Sequence, residues 1–299
     1  MFTKIHHVGI LVPDLDAAKR LWVDAYGFTV DESRSPLPQG RHVNMSNVDI
    51  IDIPVGESEI ELIVPKDPES DMGRHLAMKG PGLHHLCLYT DNLEEDMRNL
   101  KNAGLKQRES LSCLSQEGDN HRATFFHPED NLGVLLELWE NILPKEQLPK
   151  NEFRVGGGLS RIHHIGLVAP DLGGAIELFC DVYGLRVDQA VSPLPDGRLG
   201  NDNVRVVDIP VGESEIEVVI PQDAESGTAR FLASRGPGMH HICFYTEDIH
   251  KEMKRLREAG LQEIGFVSFG KLKGESIGWL HPKSNMGVLV EIWQDPLNE

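Results

Sequence analysis

The chain predicts an α+β fold of four βαβββ modules, paired into two cup-shaped mixed sheets. Two nested repeats carry that prediction. Residues 4–66, KIHHVGILVPDLDAAKRLWVDAYGFTV…IPVGESEIELIVPK, return at 161–222 as RIHHIGLVAPDLGGAIELFCDVYGLRV…IPVGESEIEVVIPQ. Residues 80–139 return at 236–293, with GPGLHHLCLYT matched by GPGMHHICFYT and GVLLELW by GVLVEIW. Inside each half a fainter repeat shows: IHHVGILV and LHHLCLYT share a double histidine followed by an apolar strand pattern. The second histidines, His7, His85, His164 and His241, recur roughly every 80 residues, too long for a solenoid unit and suited to a small strand–helix–strand module.

Each element of a module follows from its local pattern. IHHVGILV alternates as a strand. DLDAAKRLWVDAYG is an amphipathic helix with Asp14 near its start and Gly27 at its end, the residue types that open and close helices. Extended segments are expected at TVDESRS, VDIIDIPVG and SEIELIVP, the last two joined by a Gly-Glu-Ser turn. The halves meet in NILPKEQLPKNEFRVGGGLS, whose Pro, Lys and triple Gly read as a linker. The expected organisation is therefore one domain over 1–140, a linker over 141–160 and a second domain over 161–299.

Composition narrows the function classes. The 299 residues are 40% hydrophobic and 25% charged, ordinary for a globular chain with ample core. With 29 basic against 47 acidic residues the formal charge is -18, a field that repels a nucleic-acid backbone. No apolar run reaches the roughly 18 residues of a membrane span, and MFTKIHHVGI lacks the apolar core of a signal peptide. A cytoplasmic protein is expected, monomer or homodimer, acting on a small molecule and on neither nucleic acid nor membrane. The four cysteines show no CxxC pairing; Cys87 and Cys243, inside matching strands, read as small buried hydrophobes.

Strand parity then picks out the chemistry. Along strand 5–11, His6, Val8 and Ile10 share the branched face suited to helix packing, which leaves His7 on the other face, where Gly9 opens space. The same split pairs His85 with small Cys87. Glu61 in SEIELIVP and Glu137 in GVLLELW are carboxylates inside apolar strands, costly there unless paired or metal-bound. The second half repeats the set as His164, Glu217, His241 and Glu291. Two His and two Glu on one concave face suit a borderline divalent ion such as Co, Zn, Ni, Mn or Fe, so two ions per chain are expected. Other shared residues are given quieter parts. His6, His84, His163 and His240 are placed on the helix-packed face, and His127 and His281 in turns. Arg41 and Arg198, beside SPLPQGR and SPLPDGR, read as solvated turn arginines, with capture of a substrate carboxylate or phosphate as the alternative.

HHVGI and HHIGL, GLHHLC and GMHHIC, FFHP and WLHP, and GVLLE and GVLVE together resemble the vicinal oxygen chelate superfamily of glyoxalase, bleomycin-resistance and extradiol dioxygenase proteins. Within it the chain looks like a tandem of the methylmalonyl-CoA epimerase group. The resemblance implies two VOC domains and metal ligation by His7, Glu61, His85 and Glu137, and by His164, Glu217, His241 and Glu291. It implies an isomerase that removes a proton next to a carbonyl through a metal-stabilised enolate, with an acyl-CoA thioester as the substrate to test. A metal-bound Glu can act as a base in the family, which maps to Glu137 and Glu291. The family's other proposed base falls at Ile50 and Val206. The acidic residues that both copies of that strand share are Asp52 and Asp208, two positions on and on the same face, and they are the candidates for the second acid. Glu rather than Gln at Glu61 and Glu217 resembles bacterial glyoxalase I, which makes a lactoylglutathione lyase the nearest rival. An extradiol-type dioxygenase is the further alternative.

Overall fold

The computed structural model describes residues 2–44, 46–108, 121–142, 158–268 and 276–295. The first half opens with strand β1 (Phe2–Leu11), then helix α1 (Leu15–Lys19), whose axis continues as a π-helical stretch over Arg20–Ala25. Asp14 caps this helix as its sequence position predicts, its carboxylate accepting from Ala17 N at 2.7 Å. Gly27, at φ 80°, takes the left-handed turn that ends it. Strands β2 (Arg41–Val43), β3 (Val48–Val55) and β4 (Ser58–Pro65) follow, then α2 (Asp71–Lys79). The second module comprises β5 (Gly82–Thr90), α3 (Leu93–Asn102), β6 (His121–Phe126) and β7 (Leu135–Asn141).

The second half repeats the order: β8 (Leu159–Val168), α4 (Leu172–Ile176) with its π-helical continuation over Glu177–Val182, β9 (Arg198–Leu199), β10 (Val204–Val211) and β11 (Ser214–Pro221). After α5 (Gly227–Arg235) come β12 (Gly238–Thr246), α6 (Ile249–Glu258), β13 (Glu263–Ser268), β14 (Ser276–Leu280) and β15 (Leu289–Gln294). Asp171 repeats the cap, accepting from Gly174 N.

The strands form two mixed sheets, ordered β2-β3-β4-β1-β5-β7-β6 and β13-β14-β15-β12-β8-β11-β10-β9. Within each, β1 runs parallel to β4 and β5 to β7, as do β8 with β11 and β12 with β15, while the hairpins β3–β4 and β10–β11 are antiparallel. The α+β class and the modular repeat are as the sequence predicts.

Two expectations are corrected. Residues 29–35 form no strand: the Asp31 carboxylate accepts from Ser33 N and Oγ, and its main chain turns back through Ser35 N to Asp31 O at 2.8 Å. Helices α2 and α5 were not foreseen. Ser70 and Ser226 cap them by accepting from Gly73 N and Ala229 N, and Gly80 and Gly236 close them at φ 78°. In the second module, among the described residues, the second strand, the one that follows the helix, is represented by one bridge between Gln107 and Phe126. Most of the expected linker, and Cys113, lie outside the described residues.

The chain resolves into two compact units, one of Met1–His6, His85–Lys150 and His164–His240, the other of His7–His84, Asn151–His163 and His241–Glu299. Each unit takes one module from each half. In the first, Phe2 and Phe179 meet the Tyr183 ring edge-on at 5.5 and 5.4 Å, and the Tyr183 hydroxyl donates to Asn131. In the second, Trp22, Tyr26 and Phe28 gather around Phe244 at 5.1–6.3 Å, all four buried. Tyr26 donates to Asn285 at 2.7 Å, and the Arg255 guanidinium donates to the carbonyls of Ala25 and Tyr26 at the end of the first helix. A cation there satisfies helix-terminal acceptors and suits the helix dipole. Each π-helical stretch thus delivers its aromatic face to a partner more than a hundred residues away along the chain or, for Tyr183, about fifty.

Candidate metal centres

Register decides which side chains meet. In the parallel pair β1–β4, Glu61 lies beside Gly9 and Glu59 beside His7; in β5–β7, Glu137 lies beside Cys87. The second half repeats the pairing as Glu217 beside Gly166, Glu215 beside His164 and Glu291 beside Cys243. Glu61, Glu137, Glu217 and Glu291 thereby each stand opposite a small residue two places after a histidine, and that spacing leaves room for both side chains on one face. Cys87 and Cys243 are buried, as expected of small space-makers.

The result is four buried His–Glu couples. Nε2 lies 3.5 Å from the carboxylate in His7–Glu61, 3.2 Å in His85–Glu137, 3.7 Å in His164–Glu217 and 3.3 Å in His241–Glu291. All four histidines are 2% exposed and none of the four glutamates exceeds 8%. Aromatic neighbours hold two of the rings edge-on: Phe125 against His85 at 5.6 Å and Trp279 against His241 at 5.0 Å. The other histidine of each pair is engaged elsewhere. His6 stacks on Trp139 at 4.0 Å and His163 on Trp293 at 5.1 Å. His84 and His240 meet His75 of α2 and Phe231 of α5 edge-on. His281 Nδ1 accepts from Lys283 N within its turn.

The arginines beside the Pro-rich turns are not solvated. Arg41 forks onto Asp52, donating from Nε at 2.8 Å and Nη2 at 3.1 Å, and the same Nη2 donates to Glu61 at 2.7 Å. Arg198 repeats this on Asp208 at 2.7 and 2.9 Å and on Glu217 at 2.7 Å. Sequence reasoning missed the pairing because partners ten to twenty residues apart meet only through the β2–β3–β4 and β9–β10–β11 hairpins. Asp52 is fully buried. Burial alone would raise its carboxyl, but the charge and hydrogen bonds of Arg41, then Arg34 and Ser35, hold it well below the usual carboxylate range. Burial likewise opposes the Arg198 charge, and Asp208 and Glu217 outweigh it, keeping the guanidinium protonated.

One difference between the halves changes the charge beside the histidines. Arg34 bridges Asp31 at 2.7 Å and Glu59 at 2.6 Å in the first. Val191 stands at the matching place in SPLP-preceding sequence of the second, and among the described residues Glu215 has no ion-pair partner. Burial raises the carboxyls of both Glu59 and Glu215.

Two imidazoles and a carboxylate withdrawn from water are donor types that fit a borderline divalent ion. The groups His7–His85–Glu137 and His164–His241–Glu291 each bring three such donor atoms within 4.8 Å of one another and could hold one. Groups with Cys87 or Cys243 in place of the carboxylate would enlist His6 or His163, whose rings are taken up by tryptophan stacking. Among the described residues no helix is long and apolar enough to cross a membrane.

Known proteins place this arrangement. The Glyoxalase/Bleomycin resistance protein/Dioxygenase superfamily matches residues 6–125 and again 163–272. The chain is 31% identical to human mitochondrial methylmalonyl-CoA epimerase over 137 residues, 46% of this chain and 74% of the relative. It is 33% identical to the ethylmalonyl-CoA/methylmalonyl-CoA epimerase of Cereibacter sphaeroides over 141 residues, 46% of this chain and 98% of that one. A mutant 4-hydroxymandelate synthase of Streptomyces coelicolor shares the fold over 98% of this chain and 92% of its own, at a TM-score of 0.72 and 14% identity. Matched once in each half and carrying buried His–Glu couples in both, the chain belongs to the Glyoxalase/Bleomycin resistance protein/Dioxygenase superfamily, with methylmalonyl-CoA epimerases among its homologues.

Proposed function

We propose that the chain is an epimerase-type isomerase that removes and returns a proton on the carbon next to a carbonyl, acting on an acyl-CoA thioester of the methylmalonyl-CoA kind. The observation that carries this reading is the repetition of two buried His–Glu couples in each half of a chain whose homologues, at 31% and 33% identity, are such epimerases. When bound, a divalent cation held by His7, Glu61, His85 and Glu137, and a second held by His164, Glu217, His241 and Glu291, supplies Lewis-acid stabilisation of charge developing on the carbonyl oxygen.

The chain's own residues handle the proton. Glu137 and Glu291 are its carriers in this reading, since each ends on the site face beside a small residue and is shielded from bulk water. Asp52 and Asp208 receive a different part from the one their sequence suggests. Both carboxylates are held in a guanidinium fork, and Asp52, pushed below its usual range, is a poor proton acceptor. These aspartates instead fix Arg41 and Arg198, which in turn hold Glu61 and Glu217 in orientation.

Incubation with methylmalonyl-CoA in D₂O tests the proposal: deuterium entering the α-position without oxygen uptake is the expected outcome. No exchange with any acyl-CoA would sink it. Glu at 61 and 217 favours a second reading, a glyoxalase I-type lyase, which conversion of the methylglyoxal–glutathione hemithioacetal would establish. Oxygen consumption with a catechol would point instead to a dioxygenase.

A further inference from the structure

We infer that the two metal centres of this chain are unequal, and that the second binds a divalent cation more tightly because it lacks the arginine that neutralises Glu59 in the first. The inference rests on the metal-centre reading above. It starts from register: Glu59 lies beside His7 in the β1–β4 pair, and Glu215 beside His164 in the β11–β8 pair. Neighbours in a parallel ladder present side chains to the same face, so each of these glutamates flanks the histidine proposed as a ligand. Electrostatic coupling agrees: beyond burial, Glu59 senses Arg34 first, then Asp52 and His7, while Glu215 senses Asp208, His164 and Glu217, with Arg198, the counterpart of Arg41, as the last and smallest influence.

What the halves do with that glutamate differs. In the first, Arg34 donates from Nη2 to Glu59 at 2.6 Å and from Nε to Asp31 at 2.7 Å, and Asp31 also accepts from Ser33. The flanking charge is cancelled where it stands. In the second, Asp31 has its counterpart in Asp188, whose carboxylate accepts only main-chain N–H groups of Ala190 and Val191 among the described residues. Arg34 is replaced by Val191, half-exposed and without charge. The second arginine of each site is the same in both: Arg41 with Asp52 and Glu61 corresponds to Arg198 with Asp208 and Glu217, bond for bond. The second site is therefore more negative beside its ligands by the one guanidinium it lacks.

A unit charge a few ångströms beyond the ligands of a divalent ion, at protein-like effective dielectric, changes affinity by roughly tenfold or more. The same excess discourages an anionic substrate, so the first site is the better receptor for a carboxylate-bearing acyl group and the second the better keeper of its cation.

Calorimetric titration of chelator-stripped full-length protein with Co²⁺ alone, at moderate ionic strength, reads this directly. Two classes of site are expected, separated by roughly tenfold or more in Kd. His164→Ala should delete the tighter class and His7→Ala the weaker. Val191→Arg, at an exposed position that leaves packing intact, should bring the tighter class down towards the weaker. Arg34→Val should raise the weaker class, with circular dichroism confirming the fold. Two equal classes, deletion of the wrong class by His164→Ala, or no response to Val191→Arg would overturn the inference while leaving the metal centres standing. No cation binding at all would overturn the metal-centre reading itself, and the inference with it.

Discussion

Replacing Arg41 by Ala isolates the charge network from the rest of the site. The substitution removes the two hydrogen bonds to Asp52 and the one to Glu61, and leaves the fully buried Asp52 carboxylate accepting from Ser35 Oγ. Removing one member of a buried ion pair costs about 3–5 kcal/mol, because the other charge stays behind uncompensated. Arg41 keeps 31% of its side chain in water, so the screened value is about 2–3 kcal/mol. Urea unfolding at pH 7, followed by circular dichroism, should show a lower midpoint at unchanged slope. Asp52→Asn in the same background removes the stranded charge, and the double-mutant cycle should return a coupling of at least about 1.5 kcal/mol. The pH dependence has a definite sign. Asp52 titrates lower folded than unfolded, so its contribution is present above the unfolded value of about 4 and is lost as pH falls towards the depressed folded value. Without Arg41 that contribution disappears and acid unfolding should begin at higher pH. A cost below about 0.5 kcal/mol, or a cycle with no coupling, would refute the view that Arg41 and Asp52 form one buried unit.

His85→Ala should strip cation from the first site in elemental analysis, whereas His84→Ala, which loses an edge contact with His75, should retain it; the reverse pattern would shift the ligand assignment by one residue. Glu137→Gln together with Glu291→Gln should lower α-proton exchange by roughly 10²–10⁴-fold or more, measured by NMR in D₂O, and normal exchange would remove both from proton transfer. Trp22→Ala, which empties a fully buried position against Tyr26 and Phe244, should cost about 3–5 kcal/mol by denaturant titration. Gly133→Ala should destabilise by more than about 2 kcal/mol in the same assay, since a Cβ there would sit 1.8 Å from Pro237 O at a φ of 74°.

The parts of the molecule that sequence made legible are those governed by short-range periodicity. Alternation along β1 and β5 separates His7 from His6 and His85 from His84: His7 and His85 meet carboxylates and His84 meets His75 of helix α2, whereas His6, expected to pack under a helix, stacks instead on Trp139 of β7. Asp14 and Gly27 bracket their helix because capping is a local act. Helix α2 carried the same kind of local signal in Ser70 and Gly80, but its apolar residues are few and no periodic stripe advertises it; Met72 and Leu76 pack onto a cluster of Leu11, Val48, Ile50 and Ile63. Residues 29–35 read as extended because Thr29 and Val30 favour strands, yet the Asp31 side chain competes for the main chain and wins. Least legible was the Arg41 fork, whose partners come together only after two hairpins have set their register.

The aromatic bond between Trp22, Tyr26, Phe28 and Phe244, with Tyr26 answered by Asn285, has a consequence for how a duplicated chain can change over generations. Side chains over two hundred positions apart share one filled volume, so a larger or smaller residue at Phe244 must be matched near the amino terminus or lost. Tyr183 and Asn131 bind the complementary modules in the same way. The loops around Arg34 and Val191 carry no such obligation, and it is there that one copy has been free to depart from the other.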